Sequence, residues 1–325
     1  MYRSIVRSFG NAVDVVEVEE YEPPRPGPDE VLVRMTAATV NPSDLVTIAG
    51  AYRSRTTLPF VPGFEGVGVV ERVGAEVTGL AAGDRVLPIG TSGAWQQVKP
   101  TQARWCFRVR PELTDEQAAT CYINPLTARR MIDEHVVPRG RPLVVVNAAG
   151  SAIGLMLARM LHRLGVPAIG LVRRDPDRPE LAATPWTAVL ATDRPDWHHA
   201  LRDLTDGLGP EVVLDAVGGE EGERLALGTR VGGCLVHYGL LSGRPLPVDL
   251  AARRPDLTVR LFRLRDWVHA GGHAEIQQAL DEAGGLVLDG VAASRVQGRF
   301  PLDQLTTAIQ RSVAWGRAGK VIITP

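Results

Sequence analysis

The chain has 325 residues, 45% of them hydrophobic and 22% charged, with a formal net charge of −1 and a pI near 6.7. That length predicts about two globular domains, and the balanced charge gives no electrostatic case for nucleic acid or an anionic membrane surface as a partner. Cys106, Cys121 and Cys234 are far apart and lack CxxC spacing, which argues against a disulfide framework or a cysteine-rich zinc lobe. No apolar run reaches the roughly 18 residues of a membrane helix. "MYRSIVRSFG" begins directly on a strand-like run without a signal-peptide core, so a reduced, cytoplasmic location is expected.

Residues 1 to about 115 read as β-rich. "VDVVEVEEYEPP" and "EVLVRMTAATVN" alternate apolar and polar residues, and "GVGVVERVG" and "GDRVLPIG" read as strand and turn. Gly and Pro recur at the rhythm of a partly closed barrel. The segment "NPSDLVTIAGAY" leaves such a strand, passes through a short helical stretch and ends on Tyr52. The pattern changes at "LTDEQAATCYINPLTARRM", where Thr114 and Gln117 form a capping box and Pro125 should kink or divide a helix.

From there strands and helices alternate: "RPLVVVNAAG", a helix from Ser151 to Leu164 stopped by Gly165, "PAIGLVRR", "PEVVLDAVGG", "GGCLVHYG" and "LTVRLFRL". Short, continuous apolar strands between helices predict a doubly wound parallel sheet of α/β class. The proline-rich stretch around 175–195 reads as a join to a weak helix. Two more helical stretches and "GKVIITP" close the chain.

"VVVNAAGSAIGLMLARML" is the strongest signal. A buried strand runs through Gly150, Ser151, Ala152, Ile153 and Gly154 into a helix, so backbone N–H groups and the helix dipole face a pyrophosphate. The spacing departs from GxGxxG, so plain strand-to-helix packing is the alternative. At the end of the next strand, "LVRRDPDR" puts Arg173 and Arg174 where an acid would hold the ribose of NAD. Guanidinium groups suit a 2′-phosphate, which predicts NADPH; the alternative has both arginines solvated and Asp175 on the ribose.

"PGFEGVGVVERVG", "GDRV", the strand–helix alternation and "GKVIITP" resemble the medium-chain dehydrogenase/reductase superfamily over essentially the whole chain. The resemblance implies a GroES-like, partly closed β-barrel catalytic domain (1–118 and 267–325) and a Rossmann NADP(H)-binding domain (119–266). "NPSD…GAY", "INPLTARRM" and "NAAGSAIG" look most like the mitochondrial-type trans-2-enoyl-CoA (enoyl thioester) reductases, with zinc-independent quinone reductases close by. Zinc alcohol dehydrogenases of the superfamily carry Cys and His ligands where this chain has Pro42-Ser43 and Phe64, so no metal is expected.

An acceptor reduced without a metal must already be polarised, as an enoyl thioester is, and the second step needs an acid still protonated near neutrality. Phenols, with pKa values of about 10, qualify. The resemblance makes Tyr52 that acid, with a loop-closing role as the alternative. It puts Asn41 at the nicotinamide ribose or in a turn, and Thr127, Tyr238, Phe262, Leu264 and Lys320 beside the cofactor. Packing is the alternative for Tyr238, and strand capping for Lys320. Trp95 is expected to border the substrate pocket or to pack in the core. Arg263 and Arg265 depart from the family's apolar character; alternation along a strand would put both on one face, solvated or attracting a carboxylate or phosphate. A homodimer joined through the Rossmann sheet edge, by the "GGCLVHYG" and "LTVRLFRL" strands, is expected. The substrate is a small acyl thioester, free or on an acyl-carrier protein. Quinone or activated-alkene reduction, and a catalytically silent NADP(H)-binding protein, remain alternatives.

Overall fold

The computed structural model describes residues 1–314 and 319–325, and the chain divides into two compact units, Met1–Ile123 with Arg265–Pro325, and Asn124–Leu264.

The first unit is built around the ten-residue strand Glu30–Thr39. One edge pairs antiparallel with Gly66–Val73. The other edge is shared: its first half pairs with Val98–Gln102 and its last residues with Lys320–Thr324. Arg85–Pro88 and Cys106–Arg108 extend the sheet on one side and Val296–Pro301 on the other, giving seven strands. The C-terminal strand thereby reaches Thr39, whose hydroxyl donates to the Val321 carbonyl. Apolar positions converge on a core of Val6, Val33, Met35, Ile48, Val70, Trp95, Ile309 and Ile323. "VDVVEVEE" divides: Asn11 caps a single helical turn, Ala12–Val15, and only Val16–Glu20 is strand. Thr114 and Gln117 form the expected capping box, but the helix ends at Ala118 and a second, Ile123–Met131, starts before Pro125. In the first turn the proline's missing N–H leaves no intrahelical bond broken.

Lys99 is wholly buried in this unit, and its ammonium donates to the carbonyls of Pro88 (2.8 Å) and Thr91 (2.9 Å). Burial pushes its pKa down from 10.5 to about 7. The unfolded chain therefore binds more protons than the folded one between those values, and stability rises with pH through that window. In urea unfolding from pH 7 to 9, the wild type should gain stability over Lys99→Met by up to about 1.4 kcal/mol per pH unit. Parallel pH profiles for the two proteins would contradict this.

The second unit is a six-stranded, all-parallel sheet in the order Ala188–Ala191, Ala168–Val172, Val144–Val146, Val212–Asp215, Cys234–His237, Thr258–Leu261. The strand order reverses between Val144–Val146 and Val212–Asp215, the position where open α/β sheets bind ligands at their carboxyl ends. The helix Ala152–Arg163 starts on Ser151 and ends at Leu164, as its sequence predicts. Three expectations are corrected here. Ala188–Ala191 is an extra strand within the proline-rich stretch. Cys234–His237 is internal, so only Thr258–Leu261 forms that edge. And "LFRLRDW" is not a continuous strand: the strand stops at Leu261 and a helix begins at Leu264, so strand alternation does not place Arg263 and Arg265. Among the described residues no helix is long and apolar enough to cross a membrane.

Candidate active site

In the first unit, the strand Glu30–Thr39 delivers Asn41 to the start of the helix Pro42–Ile48. Asp44 Oδ2 accepts from the Asn41 N–H (2.7 Å), and its Oδ1 accepts from the Phe64 N–H (2.9 Å), closing a capping box and tying the helix to the "GFEG" turn. Burial pushes the Asp44 carboxyl up to about 7, against the pull of both N–H groups and of Lys320.

Asn41 is the hub of a buried network. Its Nδ2 donates to Glu65 Oε2 (2.8 Å), and its Oδ1 accepts from the Lys320 ammonium, which lies 4.0 Å from Glu65. Glu65 Oε1 accepts from the N–H groups of Tyr122 (3.0 Å) and Ile123 (2.7 Å). Both ends of the Asn41 amide thus have a protein partner, and the residue ties the start of the helix to Glu65 and Lys320. Lys320 belongs to the same network.

Beyond Ile48 the chain turns at Ala49 and Gly50, with Gly50 in the left-handed region (φ +86°), and presents Tyr52 half-buried. The Arg55 guanidinium lies 4.1 Å over the ring, a cation–π contact that fixes its plane. Among the described residues no hydrogen bond engages the phenol. Trp95 does not border a pocket: it is 0% exposed, and its indole N–H donates to the Thr39 carbonyl (3.1 Å). It packs in the core because that carbonyl, inside the barrel, satisfies its one polar atom.

In the second unit, Ser151 caps the helix Ala152–Arg163, its hydroxyl accepting from the Gly154 N–H (3.1 Å). A Cβ on Gly154 would come within 2.7 Å of the Ala148 and Ala149 carbonyls, so only glycine lets helix and strand meet this closely. The N–H groups of Ala152 and Ile153 find no acceptor among the described residues and are left for an anion.

Arg173 and Arg174 are exposed at the end of the neighbouring strand, Arg174 3.5 Å from Asp193. Thr127 is buried on the helix Ile123–Met131, and Phe262 and Leu264 are buried beyond the last strand, while Arg263 is exposed. The Tyr238 hydroxyl is buried with no hydrogen-bond partner among the described residues, and burial together with the Asp215 charge pushes its pKa up. An orphaned hydroxyl at the carboxyl end of the sheet is the kind of group a ligand satisfies.

Asp215, the last residue of the strand Val212–Asp215, is a second hub. It accepts from Asn147 Nδ2 (2.6 Å) and from the Val217 and Gly218 N–H groups (3.0 Å each), and it lies 2.7 Å from His237 Nδ1. Burial alone would raise Asp215, but the bonds from His237, Gly218 and Asn147 outweigh it and hold its pKa below the usual value. Ion pairs and bonds of this kind join residues distant in sequence, and no local motif announces them.

Among the described residues no group of three or more His, Cys, Asp or Glu could hold a metal. The thiols are poor ligands, since burial pushes Cys106 up to about 12 and Cys121 and Cys234 upward as well.

Residues 27–114 match the alcohol dehydrogenase GroES-like domain family, and residues 152–285 match the zinc-binding dehydrogenase family. The chain is 30% identical to a mitochondrial enoyl-[acyl-carrier-protein] reductase of Arabidopsis thaliana over 98% of its own length and 87% of the relative. It belongs to the medium-chain dehydrogenase/reductase superfamily. Among solved structures of this superfamily it is similar to a candidate NADPH:quinone reductase of Bacillus thuringiensis, with 32% identity and a TM-score of 0.92, covering 100% of this chain and 99% of that one. A mycobacterial structure complexed with NADPH has 26% identity and a TM-score of 0.88, both chains being covered completely. As a medium-chain dehydrogenase/reductase the chain is an oxidoreductase, and the cradle at Gly150–Gly154 fits the pyrophosphate of a nicotinamide dinucleotide.

Proposed function

We propose that this oxidoreductase uses NADPH to reduce the C2=C3 double bond of a 2-enoyl thioester, on CoA or an acyl-carrier protein, without a metal. The observation that carries the reading is the whole-length likeness to an enoyl-[acyl-carrier-protein] reductase, in a chain that presents a tyrosine hydroxyl with no hydrogen bond among the described residues. When bound, NADPH would supply a hydride to Cβ of the acceptor, leaving negative charge on the thioester oxygen and Cα. Tyr52 holds the proton that Cα takes, and the Asn41–Asp44–Glu65–Lys320 network holds the helix that leads to it. Two arginines at the strand end support NADPH over NADH. The same reading pairs two copies through the edge strand Thr258–Leu261, where Val259 and Leu261 are exposed.

A second reading, NADPH:quinone reduction, is favoured by the likeness to the Bacillus thuringiensis protein; it needs no proton from Tyr52. Following NADPH absorbance with crotonyl-CoA, with a simple quinone and with no acceptor separates the two. Turnover of crotonyl-CoA is expected. Oxidation with quinone alone supports the second reading, and tight NADPH binding without turnover of either acceptor points to a silent binding protein.

A further inference from the structure

We propose that Arg178, standing over Gly150, grips the adenosine 2′-phosphate of NADPH and is a specificity residue of the cofactor site; the inference rests on the NADPH reading above. Arg178 precedes the short turn Pro179–Ala182, and Pro179 fixes where that turn starts. An arginine has no acceptor with which to cap the turn. Its side chain instead lies against Gly150: a Cβ placed on that glycine would stand 2.1 Å from Nη2 and 3.1 Å from Cζ. Gly150 has no left-handed backbone, and the guanidinium fills the space a Cβ would take.

Two features of this arginine call for an anion. Its Nε is buried with no hydrogen-bond partner among the described residues, although Nη1 is 3.3 Å from Glu180 Oε1. Its positive charge also borders the loop that opens the helix Ala152–Arg163, whose N-terminus carries partial positive charge, and the two repel unless an anion lies between them. Nε and Nη2 form one edge of the planar fork that matches two phosphate oxygens. The helix N–H groups meet the pyrophosphate, whereas the segment after the second strand, where Arg178 sits, reads the ribose 2′ position.

The test is the dissociation constants of NADPH and NADH, measured by titration calorimetry on the full chain and on Arg178→Gln and Arg178→Lys. Arg178→Gln should weaken NADPH by about 10- to 100-fold, the range for hydrogen bonds to a charged group, and leave NADH unchanged. Unchanged NADH binding also reports that the variant is folded. Arg178→Lys should recover part of the loss. An unchanged NADPH affinity in Arg178→Gln, or equal losses for both coenzymes, would overturn the assignment while a wild-type preference for NADPH stands. A wild type that prefers NADH would instead remove the NADPH reading itself.

Discussion

Replacing Tyr52 by phenylalanine should lower kcat for an enoyl thioester by about 10²- to 10⁴-fold, the usual contribution of a positioned general acid, and leave the NADPH dissociation constant within about twofold of wild type. The variant keeps the ring under Arg55, and it removes a hydroxyl with no hydrogen bond among the described residues, so little stability is lost with it. What it loses is the proton. If water replaced it, the reduced thioester would still form, but slowly, and the loss would appear in kcat rather than KM. Quinone reduction, which does not draw on this proton, should be nearly unaffected. A Tyr52→Phe variant that reduces crotonyl-CoA at wild-type rates would contradict the acid role.

The second large effect is on stability. Glu65→Ala should destabilise the barrel unit by about 3–5 kcal/mol, because it takes the acceptor from two backbone N–H groups and the Asn41 amide and a carboxylate from beside the buried Lys320 ammonium. Glu65 accepts from two backbone N–H groups and from the Asn41 amide, and it is the nearest carboxylate to Lys320 in the network. Asn41, Tyr122 and Lys320 are buried and Ile123 partly so, and an alanine satisfies none of them. Combining Glu65→Gln with Lys320→Met should cost less than the sum of the two single changes, since both act on the one Asn41-centred network. Urea unfolding of the four proteins gives the coupling directly. Strict additivity would show that the network is not energetically connected.

The parts of the fold carried by local pattern were legible. Five of the six parallel strands stand out as short apolar runs, and Ser151 and Gly165 mark the ends of the helix behind the cradle. Ala188–Ala191 was missed because it is four residues long, at the sheet edge, amid prolines that signal a loop. "LFRLRDW" misled because an alternating run does not reveal where a strand gives way to a helix.

The candidate site was less legible. Asn41 and Asp44 lie three residues apart and show the capping pattern, but Lys320 is 279 residues from Asn41 and meets it only because the C-terminal strand pairs beside Thr39. Trp95 looked equally suited to pocket or core; the Thr39 carbonyl, which accepts its N–H inside the barrel, decides for the core. Arg178 was hidden in a proline-rich stretch, and only the folded chain lays it on Gly150.

Mass spectrometry of the product formed from crotonyl-CoA and NADPH in D2O tests the central claim most directly. The account predicts butyryl-CoA carrying one solvent deuteron at Cα and none at Cβ, from protein treated with a chelator. Crotonyl-CoA recovered unreduced while a quinone is consumed, or reduction that vanishes on chelation and returns with zinc, would contradict it.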